Sequence, residues 1–222
     1  MESDIIKKYN LKVKSLKGKN SEMKIFQAET LDNIIDSIIF NKFTEDERFP
    51  YFLNIWDSGI HLFRFLTEEF DAKIFKNKKI VELGSGTGIV GISFLKLGGK
   101  VLFTDFESEA LELCKLNANL NHFKKIKTLM ADWRNFPDLK FKADYITGSD
   151  LFYEKRMLQP LTDTSMKFLD RGAKFILADP SREYCSDYLR LMDDKGYKTS
   201  IMKVYKNSIS TLRDTRIYQI ER

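Results

Sequence analysis

Lys79–Ile80–Val81–Glu82–Leu83–Gly84–Ser85–Gly86–Thr87–Gly88–Ile89–Val90–Gly91 starts as an apolar run, breaks into alternating glycines and resumes as an apolar pattern through Leu95. The first run reads as a buried strand and Ile89–Leu95 as one face of a helix. Strand, glycine turn and helix N-terminus together make a nucleotide cradle. Glycines let the backbone turn tightly and approach a ligand, and the unpaired N–H groups of the helix start donate to its polar atoms.

Several ligands compete for such a cradle. A phosphate loop needs Lys followed by Ser or Thr after the last glycine, and Ile89–Val90 stand there instead. The dinucleotide fingerprint is formally present as Gly86-x-Gly88-x-x-Gly91, so the glycines alone leave an NAD-dependent oxidoreductase open. Glu82, two residues before Gly84, argues against it. A carboxylate at the entrance disfavours a pyrophosphate and suits the cationic amino-acid end of S-adenosylmethionine, directly or through water. A glycine turn with no ligand is the plain alternative.

The 222 residues suit one ordinary α/β domain with some room for an N-terminal extension. Hydrophobic residues at 43% and charged ones at 31% describe a soluble globular chain with a sizeable core. The net charge of +5 is mild and its signs are interspersed, so no stable nucleic-acid binding is expected. Lys7, Lys8, Lys12, Lys14, Lys17 and Lys19 read as solubilising residues of an exposed arm. No stretch has the ~18–20 consecutive apolar residues of a membrane span, and Met1–Asp4 lacks the order of a signal peptide. Cys114 and Cys185 have neither metal-ligand nor redox spacing, which fits free thiols in a reducing cytoplasm. With His61 and His122 the only histidines, neither a metal site nor a Ser-His-Asp triad is expected.

Ahead of the cradle, Leu11–Leu16 and Met23–Ala28 alternate like strands around the turn-like Gly18–Ser21. Leu31–Phe40 has helical spacing, and Glu45–Arg48 reads as a charged loop. Phe49–Gly59 is rich in aromatics and leads into a helical pattern through Leu66, with Asp57 or Ser58 as N-cap. Beyond the cradle, Val101–Asp105 is a second buried strand. Its terminal Asp105 lies ~17 residues past Gly88, near the ~20 at which an acid meets a ribose hydroxyl pair. Capping the next helix is compatible with the same position. Glu109–Asn119 is an amphipathic helix ending in an Asn-rich run. Ile126–Ala131 is a third strand, after which Asp132 can accept the adenine amino group and Trp133 can shield the ring. A capping Asp and a core Trp are the plain alternative there.

Ala143–Ser149 is the fourth strand, followed by Asp150–Leu151–Phe152–Tyr153. Ligands of open α/β sheets gather at the carboxyl ends of strands near the switch point, which places this tetrapeptide beside the cofactor. Met157, Leu158, Leu161 and Phe168 suggest a helix. Ala173–Asp179 is the fifth strand and runs into Pro180–Ser181–Arg182. Tyr184–Met192 fits another helix, closed by Gly196. Lys198–Tyr205 and Ile217–Glu221 complete the set as a hairpin-like antiparallel pair joined by a connection that starts at Lys206.

Several of these motifs, in this order, resemble the class I, seven-strand methyltransferases, and within them the protein lysine methyltransferases. The carriers are Glu82-x-Gly84-x-Gly86-x-Gly88, the Pro50–Tyr51…Trp56 segment, Ala131–Asp132–Trp133 and Asp150-x-x-Tyr153. Asp179–Pro180–Ser181–Arg182 resembles the G-D-P-G-R segment of the electron-transfer-flavoprotein lysine methyltransferases, with Ala178 and Ser181 in place of two glycines. The resemblance implies a Rossmann-like α/β sheet of seven strands with helices on both faces and a closing antiparallel pair. Residues 1–75 would then be an N-terminal extension with a cofactor-covering segment, and 76–222 the core.

S-adenosylmethionine would be held by Trp56, Glu82, Gly84, Ser85, Gly86, Gly88, Asp105, Phe106, Asp132, Trp133 and Ser149. Asp150 and Tyr153 would meet the acceptor, expected to be a protein lysine. A lone Asp150 carboxylate stabilises an ammonium and so opposes its deprotonation, which makes it a positioning group rather than a general base. A small-molecule amine methyltransferase remains the alternative. An oxidoreductase would lack a hydride-shuttling constellation, and a nucleotide sensor would not need Asp150 and Tyr153.

Overall fold

The computed structural model describes residues 4–19, 21–28, 50–71, 74–206 and 213–222. The expected helix at Leu31–Phe40 and the charged loop Glu45–Arg48 lie outside these residues. So do Asn20 of the first turn, Phe49 of the aromatic segment and most of the connection after Lys206.

The chain begins with a short helix α1 (Asp4–Lys8) and an antiparallel hairpin, β1 (Leu11–Lys17) and β2 (Glu22–Ala28), whose turn closes through Gly18 N–H donating to Ser21 O at 2.8 Å. A 3₁₀ turn at Tyr51–Leu53 then leads into α2 (Asp57–Glu69). Trp56 occupies the N-cap position with no side-chain cap bond, and Asp57 is already helical, so neither expected cap residue serves. The core follows as β3 (Lys79–Leu83), α3 (Ile89–Lys96), β4 (Lys100–Asp105), α4 (Ser108–Leu120), β5 (Lys127–Met130), β6 (Tyr145–Ser149), α5 (Leu158–Leu169), β7 (Lys174–Asp179), α6 (Glu183–Asp194), β8 (Lys198–Tyr205) and β9 (Thr215–Glu221).

These strands form one sheet in the order β5-β4-β3-β6-β7-β9-β8. The first five run parallel, and β9 pairs antiparallel with both β7 and β8. The order reverses between β3 and β6, so the switch point lies beside the glycine turn that ends β3.

A parallel strand is covered on both faces, so alternate residues serve two cores. Ile80, Phe103, Ile176 and Ala178 face α2, α3 and α4 with Leu62, Leu66 and Phe94. Val81, Leu83, Phe175 and Leu177 face α5 and α6 with Leu161, Phe168 and Tyr188. A third cluster ties the N-terminal elements to the 3₁₀ turn: Ile5, Leu11 and Ala28 pack with Phe52, Leu53, Ala110 and Leu113.

The hairpin docks on α4 through side-chain amides. Asn117 Oδ1 accepts from Phe26 N–H at 2.7 Å, while Asn121 accepts from Lys24 N–H and donates to Lys24 O at 2.7 Å. The Asn-rich end of α4 is therefore more than a terminus, although Asn121 does take the C-cap position.

Candidate active site

The glycine loop after β3 is held from below by its neighbours. Ser85 N–H donates to Thr104 O at 3.0 Å, and Gly86 N–H to Asp105 Oδ2 at 2.9 Å. From α4, the Cys114 thiol donates to Gly86 O at 3.3 Å and Asn117 Nδ2 to Thr87 O at 2.8 Å. Gly86 sits at φ +50°, and a Cβ there would meet nothing closer than the Phe52 Cα at 3.7 Å, so its open side faces a cavity. Gly91 has a different job. A Cβ on it would come within 2.5 Å of Glu82 Oε2 and collide with the Phe103 ring, so its absence lets α3 lie close on β3 and β4.

The cavity measures about 650 Å³ and runs along the carboxyl ends of β3, β4, β5 and β6. Trp56, Gly84, Ser85, Gly86, Asp105, Phe106, Asp132, Trp133, Ser149, Asp150 and Tyr153, all singled out in the sequence, line it together. Gly88 and Glu82 do not line it. Gly88 is the left-handed N-cap of α3.

Glu82, expected at the entrance of the turn, lies beneath the loop at 2% exposure. On a strand buried on both faces, the residue two before the glycines points at the helix covering that face and not at solvent. Its Oε1 accepts from Gly91 N–H at 3.0 Å, and Oε2 makes no hydrogen bond of standard geometry among the described residues. Burial pushes its carboxyl up to about 8, against the smaller opposing pulls of the Gly91 N–H and the Ser85 hydroxyl. At neutral pH it keeps its proton and presents no fixed charge to a ligand.

The acids at the strand ends are already engaged. Asp105 accepts from Gly86 N–H and, through Oδ1 at 3.0 Å, from Glu107 N–H. Burial raises its carboxyl and these amides oppose the rise. A carboxylate has about four acceptor positions, so two backbone bonds leave room for hydroxyl donors. Asp132 caps the 3₁₀ turn Trp133–Asn135 by accepting from Arg134 N–H at 2.9 Å, and the Arg134 guanidinium pairs with it at 2.5 Å. Arg134 also lies 5.6 Å over the Phe106 ring. Glu107, Arg134 and Glu154 line the cavity too and went unnoticed in the sequence. Glu107 carried a faint signal, being an acid two residues past the strand-end acid.

The buried Ser85 hydroxyl makes no hydrogen bond of standard geometry among the described residues, although it lies beside the Glu82 carboxyl. Together with the open face of Gly86 and two acids at successive strand ends, it fits an adenosyl ligand that brings its own donors and acceptors. Among the described residues no cluster of His, Cys, Asp or Glu is placed to hold a metal ion.

A second, smaller cavity of about 330 Å³ adjoins the first and shares Tyr51, Trp56, Asp150 and Tyr153 with it. The Tyr51 ring lies 5.0 Å from Tyr153 and 6.2 Å from Trp56, and the Trp56 Nε1–H donates to Tyr51 O at 3.1 Å. Asp150, 8% exposed and at φ +56°, forms the floor. Its carboxylate takes both the Nε–H and the Nη2–H of Arg182, the second at 3.1 Å. Arg182 completes the lining of this cavity and was absent from the expected site residues.

A family model described as lysine methyltransferase matches residues 41–195. The chain belongs to the lysine methyltransferase family. Members of the family that resemble it include the protein N-lysine methyltransferase METTL21A of Danio rerio, 30% identical over 74% of this chain and 75% of the relative. Another is the EEF1A lysine methyltransferase 3 of Xenopus tropicalis, 35% identical over 45% of this chain and 44% of the relative. Among solved structures, the ribosomal protein L11 methylase of Lactobacillus delbrueckii subsp. bulgaricus superposes with a TM-score of 0.58 at 19% identity, covering 76% of this chain and 80% of that one, which shows the shared fold. This lysine methyltransferase family member is thus an S-adenosylmethionine-dependent enzyme with the seven-strand methyltransferase sheet.

Proposed function

We propose that this chain methylates the Nε of a lysine side chain on a protein, in the cytoplasm. The observation that carries the reading is the acid-floored, aromatic-walled chamber that adjoins the cradle cavity and shares four lining residues with it. Two buried free thiols, Cys114 and Cys185, support a reducing compartment.

When bound, S-adenosylmethionine supplies a methyl group on a sulfonium, and the S–C bonding pair returns to sulfur as the methyl leaves. In this reading Ser85, Gly86 and Asp105 hold the nucleoside, with Phe106, Asp132 and Trp133 around its base. Tyr51, Trp56 and Tyr153 enclose the lysine stem and attract its cationic head through their ring faces. Asp150 fixes where that head stops.

A free lysine titrates at ~10.4, so presenting its neutral amine at pH 7 costs about 4.6 kcal/mol, a larger demand than any the nucleophile itself makes. Holding the amine nitrogen in line with the transferring methyl supplies the remaining rate.

The test is incubation with methyl-labelled cofactor and a lysate of the source organism, then mass spectrometry of labelled proteins and of their hydrolysed residues. Label on protein lysine supports the reading. Label confined to low-mass amines, or to arginine or histidine, refutes it.

A further inference from the structure

Asp150 does not face its chamber as a lone anion, and that changes what the chamber does to an amine. We propose that Arg182 is a positioning residue of the methyl-transfer site, whose guanidinium cancels the charge of Asp150 so that the chamber holds the acceptor nitrogen without holding its proton. The proposal rests on the lysine-accepting reading given above.

The pair is two-pronged, with Nε and Nη2 of Arg182 each donating to one carboxylate oxygen. The Arg182 side chain is 30% exposed while that of Asp150 is 6% exposed, so the guanidinium and not the carboxylate is the more open group. Arg182 is also anchored at its backbone, where its N–H donates to the buried Asp179 Oδ1 at 2.7 Å. The turn that presents it is fixed to β9: Ser181, at φ +61°, donates its hydroxyl to Asp214 O at 2.8 Å and accepts from Arg216, and Arg213 donates to Ser181 O.

An uncompensated carboxylate favours the charged form of a neighbouring amine and raises its pKa, whereas a neighbouring cation lowers it. A methyl acceptor needs the opposite of ammonium capture. The neutral nitrogen donates its lone pair to the methyl carbon as the S–C bond breaks, giving a methylated ammonium and a thioether. The ammonium proton must leave to water before that step.

The other charge at this corner sits behind the pair and not in the chamber. Asp179 is outside the chamber lining, with its Oδ1 taken by the Arg182 N–H. Burial raises its carboxyl to about 6, so it is ionised over most of the range from pH 6 to 10 and acts alike in parent and variants, while burial also pushes up the Cys185 thiol beside it. Burial raises the Tyr153 phenol, and Glu154, beyond Tyr153, is paired with Arg156. A buried ion pair is weak grounds for a purely structural role, since its desolvation offsets much of its attraction.

The experiment compares the parent protein with Arg182→Gln and Arg182→Lys. Calorimetry with S-adenosylhomocysteine should give affinities within about twofold of the parent for both, showing an intact cofactor site. Single-turnover rates of transfer to the lysine identified from the lysate are then measured between pH 6 and 10. For Arg182→Gln the rising limb should move up by about 1–2 pH units, the scale for one neighbouring charge. At pH 7.5 that is roughly a ten- to hundredfold loss, without a rise in KM. Arg182→Lys, which keeps the charge, should return the limb to within about half a unit of the parent.

A uniform loss at every pH with the limb unmoved overturns the proposal, as does a raised KM with unchanged rate. Weakened S-adenosylhomocysteine binding overturns it too, because Arg182 would then act on the cofactor site. A parent that labels no lysine refutes the acceptor reading itself, and the proposal falls with it.

Discussion

Replacing Glu82 by Gln should change how the stability of this protein depends on pH. Glu82 is buried between β3 and α3, and its carboxyl is raised from the ordinary 4.5 to about 8. Below pH 4.5 it is protonated in both folded and unfolded chains and contributes no slope. Between 4.5 and 8 the unfolded chain releases the proton while the folded chain keeps it. Stability therefore falls as pH rises through this window and levels off above it. At about 1.4 kcal/mol per pH unit, the whole window corresponds to about 4–5 kcal/mol.

Gln keeps the carbonyl that accepts from Gly91 N–H and cannot ionise. Its amide group replaces an oxygen that makes no hydrogen bond of standard geometry among the described residues and can donate to the neighbouring Ser85 hydroxyl, so any packing cost is an offset that does not vary with pH. Urea denaturation of the cofactor-free proteins at pH 5, 7 and 9 measures the difference. Glu82→Gln should gain several kcal/mol on the parent between pH 5 and 9, most of it by pH 8. Parallel profiles would refute the placement of a proton on Glu82. Asp179, whose carboxyl burial also raises, is present in both proteins and cancels in the comparison, whereas Asp105 repels an ionised Glu82 and so adds to the slope that Gln removes.

Other expectations follow from the same geometry. Gly86→Arg should abolish S-adenosylhomocysteine binding in calorimetry, because its side chain would enter the cavity, while the positive φ costs roughly 1–2 kcal/mol of stability. Asp105→Ala should weaken cofactor binding by about 1.5–3 kcal/mol, since it removes both a ligand acid and the acceptor that fixes Gly86 N–H; parent-like affinity would leave Asp105 a purely structural role. Asn117→Ala strips partners from Phe26 N–H and Thr87 O, and should cost about 2–4 kcal/mol in urea denaturation and speed hydrogen exchange at the Phe26 amide. Unchanged exchange there would show that the hairpin does not depend on that side chain.

Local pattern carried most of the fold. The five parallel strands and the closing pair were legible because each is a short apolar or alternating run bounded by turn residues, and β8 spans Lys198–Tyr205 as the pattern indicates. What pattern could not supply was the direction a buried polar side chain faces. Its place two residues before the glycines puts Glu82 at the entrance of the turn, facing a ligand, yet on a doubly covered strand that position belongs to the interior. Asn117 and Asn121 looked like a helix end, and nothing local says that their amides complete the edge of a hairpin 91–97 residues away. The Asp150–Arg182 pair spans 32 residues and exists only because β6 and β7 are neighbours in the sheet. The cavity-lining acids and aromatics were legible for the converse reason: strand ends near a switch point converge in any sheet of this order.

Asp150 and Ser181 both hold the left-handed backbone conformation without being glycine. Each forgoes roughly 1–2 kcal/mol that a glycine would return, and Asp150 adds the cost of a buried charge. Variation selected only for heat resistance would thus be drawn to glycine at position 150, gaining hardiness by erasing the floor of the acceptor chamber. Any programme that toughens this scaffold needs a methyl-transfer screen alongside it, since position 150 joins a backbone preference for glycine to the proposed acceptor site.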